Sequence, residues 1–383
     1  MRHRCVTEPD ELKDLKDGWE ALRLETGGSI FSSYELSTLW LKSFHSLYAP
    51  RVLTIEDKGG LVGLVPLALQ RRSLFRIPIN SLGLIGCTND RMGLNSLTLL
   101  YDPQRQDVQG QVIAGIKMIE WDLLQLKLIP ESPMANQLFR EVRGSWDSQD
   151  LPPLPEFTAP FPEAGDITAF FGKRTRETLL EKQNKLEREK RLQFRSVRTE
   201  QEAERAIDTY VQQHIDRWAS KGGSIFRQPD NVLFLKLATK AALSKGFGYM
   251  YEALIDGQVA GQDIGFYEKD LAWAYRVGMS NAFANYSPGM LVTCHAMQDL
   301  RERGIRAINM GGGKEGYKHH MGGKETRLLG IEAKRGKLSM LKRLADLPVV
   351  RQIDSRVGLR KRSLSKLYRL DEKEFQAPLT AGS

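Results

Sequence analysis

Tyr249-Met-Tyr-Glu-Ala-Leu-Ile-Asp-Gly-Gln-Val-Ala-Gly-Gln-Asp-Ile-Gly-Phe266 reads as strand, turn, strand, and the rest of the chain arranges itself around it. Asp256-Gly257 stands at the turn, the dipeptide best suited to a tight two-residue hairpin because both positions need φ > 0. Arg51 to Leu69 repeats the pattern, and aligning Gly60 with Gly257 puts Val62 on Val259. Helical patterns precede each hairpin, over 9–25 and 35–47 in the first half and over 200–220 and 232–245 in the second. The order of helices, antiparallel hairpin, then more helix and strand predicts an α+β chain of two similar halves.

After the second hairpin, Leu271 to Gly278 reads as a third strand. In Asn285-Tyr-Ser-Pro-Gly-Met-Leu291, Ser287 is a good N-cap and Pro288 a good first helical residue. Met290, Leu291, Cys294, Met297 and Leu300 then recur at helical spacing, Arg301 and Arg303 suit the negative helix end, and Gly304 suits the C-terminal cap. Residues 305–310 read as a short strand that leads into the loop Gly311-Gly-Gly-Lys-Glu-Gly-Tyr-Lys-His-His320.

Gly311, Gly313 and Gly316 satisfy G-x-G-x-x-G, but a dinucleotide site wants that pattern between a first strand and a helix, and here it follows antiparallel strands. A phosphate loop is excluded because Tyr317 follows Gly316 where Lys-Ser/Thr is needed. Adjacent His319 and His320 diverge and have no ligand cluster at metal spacing, so no metal is expected. A strand end, flexible glycine backbone and a Tyr317-Lys318 pair suit a site that receives an acyl or phosphate group.

Leu151 to Gly165 carries five prolines, and is expected to form neither helix nor central strand. It divides residues 1–150 from 166–340, with 341–383 as a basic tail. Gly172 to Arg191 reads as a basic helix. The tail interleaves basic and apolar residues, which suits a packed terminal helix or contact with a membrane surface.

The composition, 41% hydrophobic and 27% charged, is that of a globular chain with apolar residues for more than one core. The longest apolar run, Leu61 to Leu69, is far short of the about 20 residues that span a bilayer. The start lacks the apolar stretch of a secretory signal, and three scattered cysteines suit a reducing cytoplasm, the expected location. A net charge of +9 favours anionic partners: nucleic acid, an anionic membrane face or a phosphorylated small molecule.

The succession of helix, hairpin, strand, Ser-Pro-Gly before a helix, strand and Gly-x-x-Tyr-Lys resembles the GNAT-type acyltransferases associated with cellulose and exopolysaccharide synthesis, the CelD-like or acetyltransferase-6 group. The likeness covers residues 165–335. It extends to Arg174–Arg191 followed by His214-x-x-x-Trp218, and in the first half to Phe31–Trp40, Val62-Gly-Leu-Val-Pro66 and Leu82–Gly86. FemABX aminoacyl transferases, also built from two GNAT-like domains, are more distant kin.

The resemblance implies two tandem GNAT-like domains, the first degenerate, and an acyl-CoA donor, acetyl-CoA or another, held as a substrate. Tyr275, Arg276, Ser287, Gly289, Met290 and Leu291 are then expected at the donor site, its pyrophosphate at the N-terminus of the helix. Tyr317 is the expected acid, Lys318 an anion or substrate contact, and Glu315 and Asp263 the candidate bases. Two departures stand out: Ser-Pro-Gly replaces the usual Gln/Arg-x-x-Gly-x-Gly/Ala and Pro288 removes an amide donor, while Asn309 stands where many relatives carry Asp. The expected acceptor is a sugar, amine or polysaccharide precursor. The alternatives are aminoacyl transfer from tRNA to a cell-wall precursor, and a non-catalytic scaffold.

Overall fold

The computed structural model describes residues 1–74, 77–87, 92–220, 222–313, 318, 321, 323–336 and 338–339. Glu315, Tyr317, the two loop histidines and the tail from 341 lie outside them. The described chain divides into two compact units, one of Met1–Leu154 with the described residues from Arg327 onward, the other Pro155–Thr326.

The first unit runs β1 (Arg2–Val6), α1 (Glu11–Asp14), α2 (Lys16–Glu25), α3 (Tyr34–Ser43), β2 (Tyr48–Pro50), β3 (Val52–Asp57), β4 (Gly60–Val65), β5 (Leu67–Leu74), β6 (Ile77–Leu84), β7 (Leu100–Tyr101), α4 (Gln106–Met118), β8 (Leu123–Pro130) and α5 (Pro133–Ser145). Strands β1, β3, β4 and β7 form one antiparallel sheet in that order. In a second ladder β2, β5 and β6 are antiparallel and β6 pairs with β8 in parallel. Trp19, Trp40, Leu53, Leu64 and Val112 are buried in its core.

The second unit takes the end of β9 (Asp147–Pro160) and continues α6 (Lys173–Arg188), β10 (Leu192–Ser196), α7 (Glu200–Trp218), α8 (Pro229–Ser244), β11 (Gly248–Ile255), β12 (Gln258–Glu268), β13 (Leu271–Met279), α9 (Pro288–Glu302) and β14 (Ala307–Gly312). Its strand order is β10-β11-β12-β13-β14-β9, antiparallel except where β13 meets β14. The α+β class expected from the sequence is the one both units adopt. Asp256 and Gly257 both have positive φ, 53° and 74°, as the hairpin requires.

Side chains alternate across a strand. Glu252 and Gln262 point toward α7, where Gln262 Nε2 donates to Ala206 O (2.7 Å) and to Glu252 Oε1 (3.0 Å). Tyr251 and Asp263, their neighbours in sequence, meet α9 instead, through Asp299 and Thr293. Thr199 and Glu202 close a capping box at the start of α7. The basic helix is α6, anchored by buried Leu179 and Leu186.

Two local expectations are corrected. The prolines of 151–165 speak against a helix and a central strand, yet most of the stretch lies in β9, which pairs with β14 from Glu156↔Gly312 to Pro160↔Ala307. Proline loses a donor but keeps an extended φ and a carbonyl, and Pro155 O accepts from Gly313 N (2.9 Å). Ser287 precedes α9 but does not cap it: it sits at φ 54°, ψ 48° with no side-chain capping bond. Its hydroxyl is taken by Lys182 Nζ of α6, which donates to Ser287 Oγ (2.9 Å). The last described strand, β15 (Lys324–Lys334), pairs with β8 of the first unit from Leu328 onward. No described helix is long and apolar enough to cross a membrane.

Candidate active site

Three irregularities coincide in the second unit. Strands β13 and β14 pair over only three parallel steps, Leu271↔Ala307, Ala272↔Ile308 and Trp273↔Asn309, while β13 continues to Met279 and β14 to Gly312. On one flank the β12–β13 register shifts between Ile264 and Gly265, leaving Tyr275 as the extra residue. On the other the β14–β9 register shifts between Asn309 and Gly312. Bulges free backbone groups from the ladder and re-aim side chains. The strands therefore part at a point where the backbone on both sides is released from regular pairing, and this opening is the candidate site.

Asn309 and Lys318 shape its β14 wall. The Asn309 carboxamide oxygen accepts from Gly311 N (2.7 Å), so a neutral amide serves a local turn. Lys318 is enclosed, and its Nζ donates to Gly311 O (3.2 Å) and Gly312 O (2.9 Å).

The residues expected at the donor site separate into two groups. Ser287, Gly289, Met290 and Leu291 do lie at the start of α9, but Leu291 is in the core and Met290 packs against it. Tyr275 forms the bulge, Arg276 follows it, and both face α7. The Arg276 guanidinium lies 4.5 Å over the Tyr275 ring, and its charge acts on Tyr210 and His214 of α7. Burial pushes the Tyr275 phenol up to about 12.

Asp263 belongs to neither group. It sits opposite Tyr251 and Val277 in the middle of the sheet, with 0% of its surface exposed. Thr293 Oγ1 donates to Oδ2 (2.7 Å), and the buried Tyr249 hydroxyl faces the same carboxyl. Burial raises the carboxyl to about 7, with the Thr293 and then the Tyr249 hydroxyl opposing. Burial first, then the charge of this carboxyl, push the Tyr249 hydroxyl far above its usual range.

Sequence reading missed the positions that seat α9. Gly261 is one: a Cβ there would stand 2.6 Å from Pro288 O and 3.2 Å from Gly289 N. Lys182 and Arg191 are the others. Arg191 donates to both oxygens of Asp256 (2.7 Å each) and covers the Tyr286 ring at 5.4 Å, so it and Lys182 bring two cations to the loop before α9. No local sequence signal marks these contacts, because each joins elements far apart in the chain. Among the described residues no group of three His, Cys, Asp or Glu could hold a metal ion.

Residues 173–319 match the family model of the acetyltransferase (GNAT) domain. No curated protein matches the chain. Among solved structures, the crystal structure of FemX superposes with a TM-score of 0.60 at 9% identity, over 86% of this chain and 97% of FemX. A conserved protein of unknown function from Bacteroides thetaiotaomicron VPI-5482 superposes with a TM-score of 0.58 at 12% identity, over 86% of this chain and 100% of its own. At these identities the likeness is one of fold. The domain match makes acyl transfer the class of chemistry, and GNAT domains use acyl-CoA as a donor substrate.

Proposed function

We propose that the second unit of this acyltransferase moves an acyl group from acyl-CoA to an amine or hydroxyl of a sugar in surface-polysaccharide assembly. The observation that carries the reading is the parting of β13 from β14, flanked by a bulge at Tyr275 and overlooked by the start of α9. A thioester laid in that opening runs along β13 beyond Trp273, where the strand no longer pairs with β14, and amide N–H groups freed in this way stabilise an oxyanion. The acceptor nitrogen or oxygen attacks the thioester carbon, the C–S bond breaks, and the thiolate leaves with a proton. Tyr317 is the acid in this reading. Glu315, three residues beyond β14 in sequence, takes the base role in preference to Asp263, which has no exposed surface.

One observation favours a second reading, an aminoacyl ester of tRNA as donor. A helix N-terminus holds phosphate through unused amides. Here Pro288 has none, and the amides of Met290 and Leu291 both go to Ser287 O (3.0 and 3.2 Å). Under the CoA reading Lys182 therefore makes up the missing attraction. Lys182→Ala is expected to weaken acetyl-CoA binding about tenfold, the loss shrinking as salt rises, as for one charge-assisted phosphate contact. Equilibrium dialysis at two salt concentrations measures it.

The transfer test supplies purified protein with radiolabelled acetyl-CoA or labelled aminoacyl-tRNA, and a panel of amino sugars. Label moved from acetyl-CoA to a sugar is the expected result. Label moved only from aminoacyl-tRNA would replace the proposal with the second reading.

A further inference from the structure

The α7 side of β13 carries a surface that donor chemistry does not use. Helix α7 packs closely on this strand: a Cβ on Gly278 would stand 2.6 Å from the Tyr210 ring. Next to that contact Arg276 faces the same helix. Its Nη1 donates to Tyr275 O (3.1 Å), while its Nε is buried and has no acceptor. A buried donor left unmatched costs about 1–3 kcal/mol and calls for an acceptor.

His214 of α7 stands across from it. Its Nδ1 is 2.8 Å from Ser224 Oγ, which fixes the ring. The ring lies nearly parallel to Trp218 (22°, 5.8 Å) and edge-on to Phe226 (88°, 4.9 Å). Burial, then the charges of Arg276 and Arg217, hold its pKa down at about 4, so the ring is neutral at pH 7. Neither Arg276 nor Arg217 has a carboxylate within ion-pair distance among the described residues. The surface thus joins half-buried, neutral aromatic faces to two guanidiniums. Aromatic faces cover the apolar side of a sugar ring, and guanidiniums grip phosphate or carboxylate.

We infer that this surface seats the acceptor, and that the acceptor is a sugar bearing an anionic group, phosphate or carboxylate. Arg276 and Arg217 meet the anion, and Trp218 and His214 meet the ring. This rests on the acyl-transfer reading and moves Arg276 from the donor's side to the acceptor's.

The test titrates the full chain calorimetrically with glucosamine 6-phosphate, glucuronic acid and glucosamine, and separately with acetyl-CoA. The anionic sugars are expected to bind at least about tenfold tighter than glucosamine. Comparing the two separates phosphate from carboxylate as the preferred anion. Arg276→Gln is expected to erase the preference, Arg276→Lys to keep part of it, and both to leave acetyl-CoA affinity within about twofold. Thermal melts confirm that the variants fold. Equal binding of charged and neutral sugars, no sugar binding at millimolar concentration, or loss of acetyl-CoA rather than sugar in Arg276→Gln would each overturn the inference. Anionic sugar binding by a chain that ignores acetyl-CoA would sink the donor reading alone.

Discussion

Asp263→Asn is expected to remove most of a fall in stability between pH 4 and pH 8. In the folded chain burial holds the Asp263 carboxyl at about 7, whereas an unfolded aspartate titrates near ~3.9. Across that interval the folded state keeps a proton that the unfolded state has lost. Stability therefore falls as pH rises, by about 1.4 kcal/mol per pH unit, and levels off above the folded pKa. Over roughly three units the loss is about 4 kcal/mol. Asparagine matches the shape, still accepts from Thr293, and offers an amide toward the Tyr249 hydroxyl. The variant should gain on the wild type by several kcal/mol from pH 4 to pH 8 in urea titrations. His214, pushed down to about 4, has the opposite slope: its neutral folded form loses stability as pH falls below the unfolded value near ~6.5. That contribution cancels in the difference between the two proteins. Parallel pH profiles would mean that the carboxyl is not enclosed as described.

The second large effect is expected from Gly261→Val. The atoms an added Cβ would meet, Pro288 O at 2.6 Å, Pro288 C at 2.7 Å and Gly289 N at 3.2 Å, are all backbone, so no side chain can rotate away. The first turn of α9 must shift instead. Overpacking of this kind costs about 1–3 kcal/mol of stability. Because a displacement near 1 Å costs about 100-fold in a positioned reaction, acetyl-CoA-dependent turnover should fall by that order. Gly257→Asn is the control, since nothing lies within 4 Å of its added Cβ and asparagine tolerates its φ of 74°. Gly261→Val with wild-type turnover would show that the start of α9 does not hold the donor.

Much of this arrangement is legible in the sequence, and the illegible parts share a cause. Asp256-Gly257 declares its hairpin because a positive φ at both positions is a local demand. Helix α9 declares itself through Pro288, a heptad-like apolar face and Gly304, all local. Ser287 is misread as a cap because its hydroxyl partner, Lys182, lies 105 positions away. Residues 151–160 hide a strand because proline statistics count the lost donor and not the carbonyl that Gly313 uses. Asp263 can be picked out as a carboxylate in a strand. Its enclosure depends on Thr293, 30 positions further on, and no pattern around either residue shows it. The opening between β13 and β14 is legible only as a resemblance, since pairing that stops after three steps leaves no mark on composition or period.

The most direct test of the donor cleft is calorimetric titration of the full chain with acetyl-CoA, beside a Ser287→Glu, Gly289→Glu double variant that sets two carboxylates where the phosphates are expected. One-to-one binding by the wild type, lost in the variant, is the expected result. Absence of wild-type binding at millimolar acetyl-CoA, or equal binding by both proteins, would contradict the placement of an acyl-CoA donor at the start of α9.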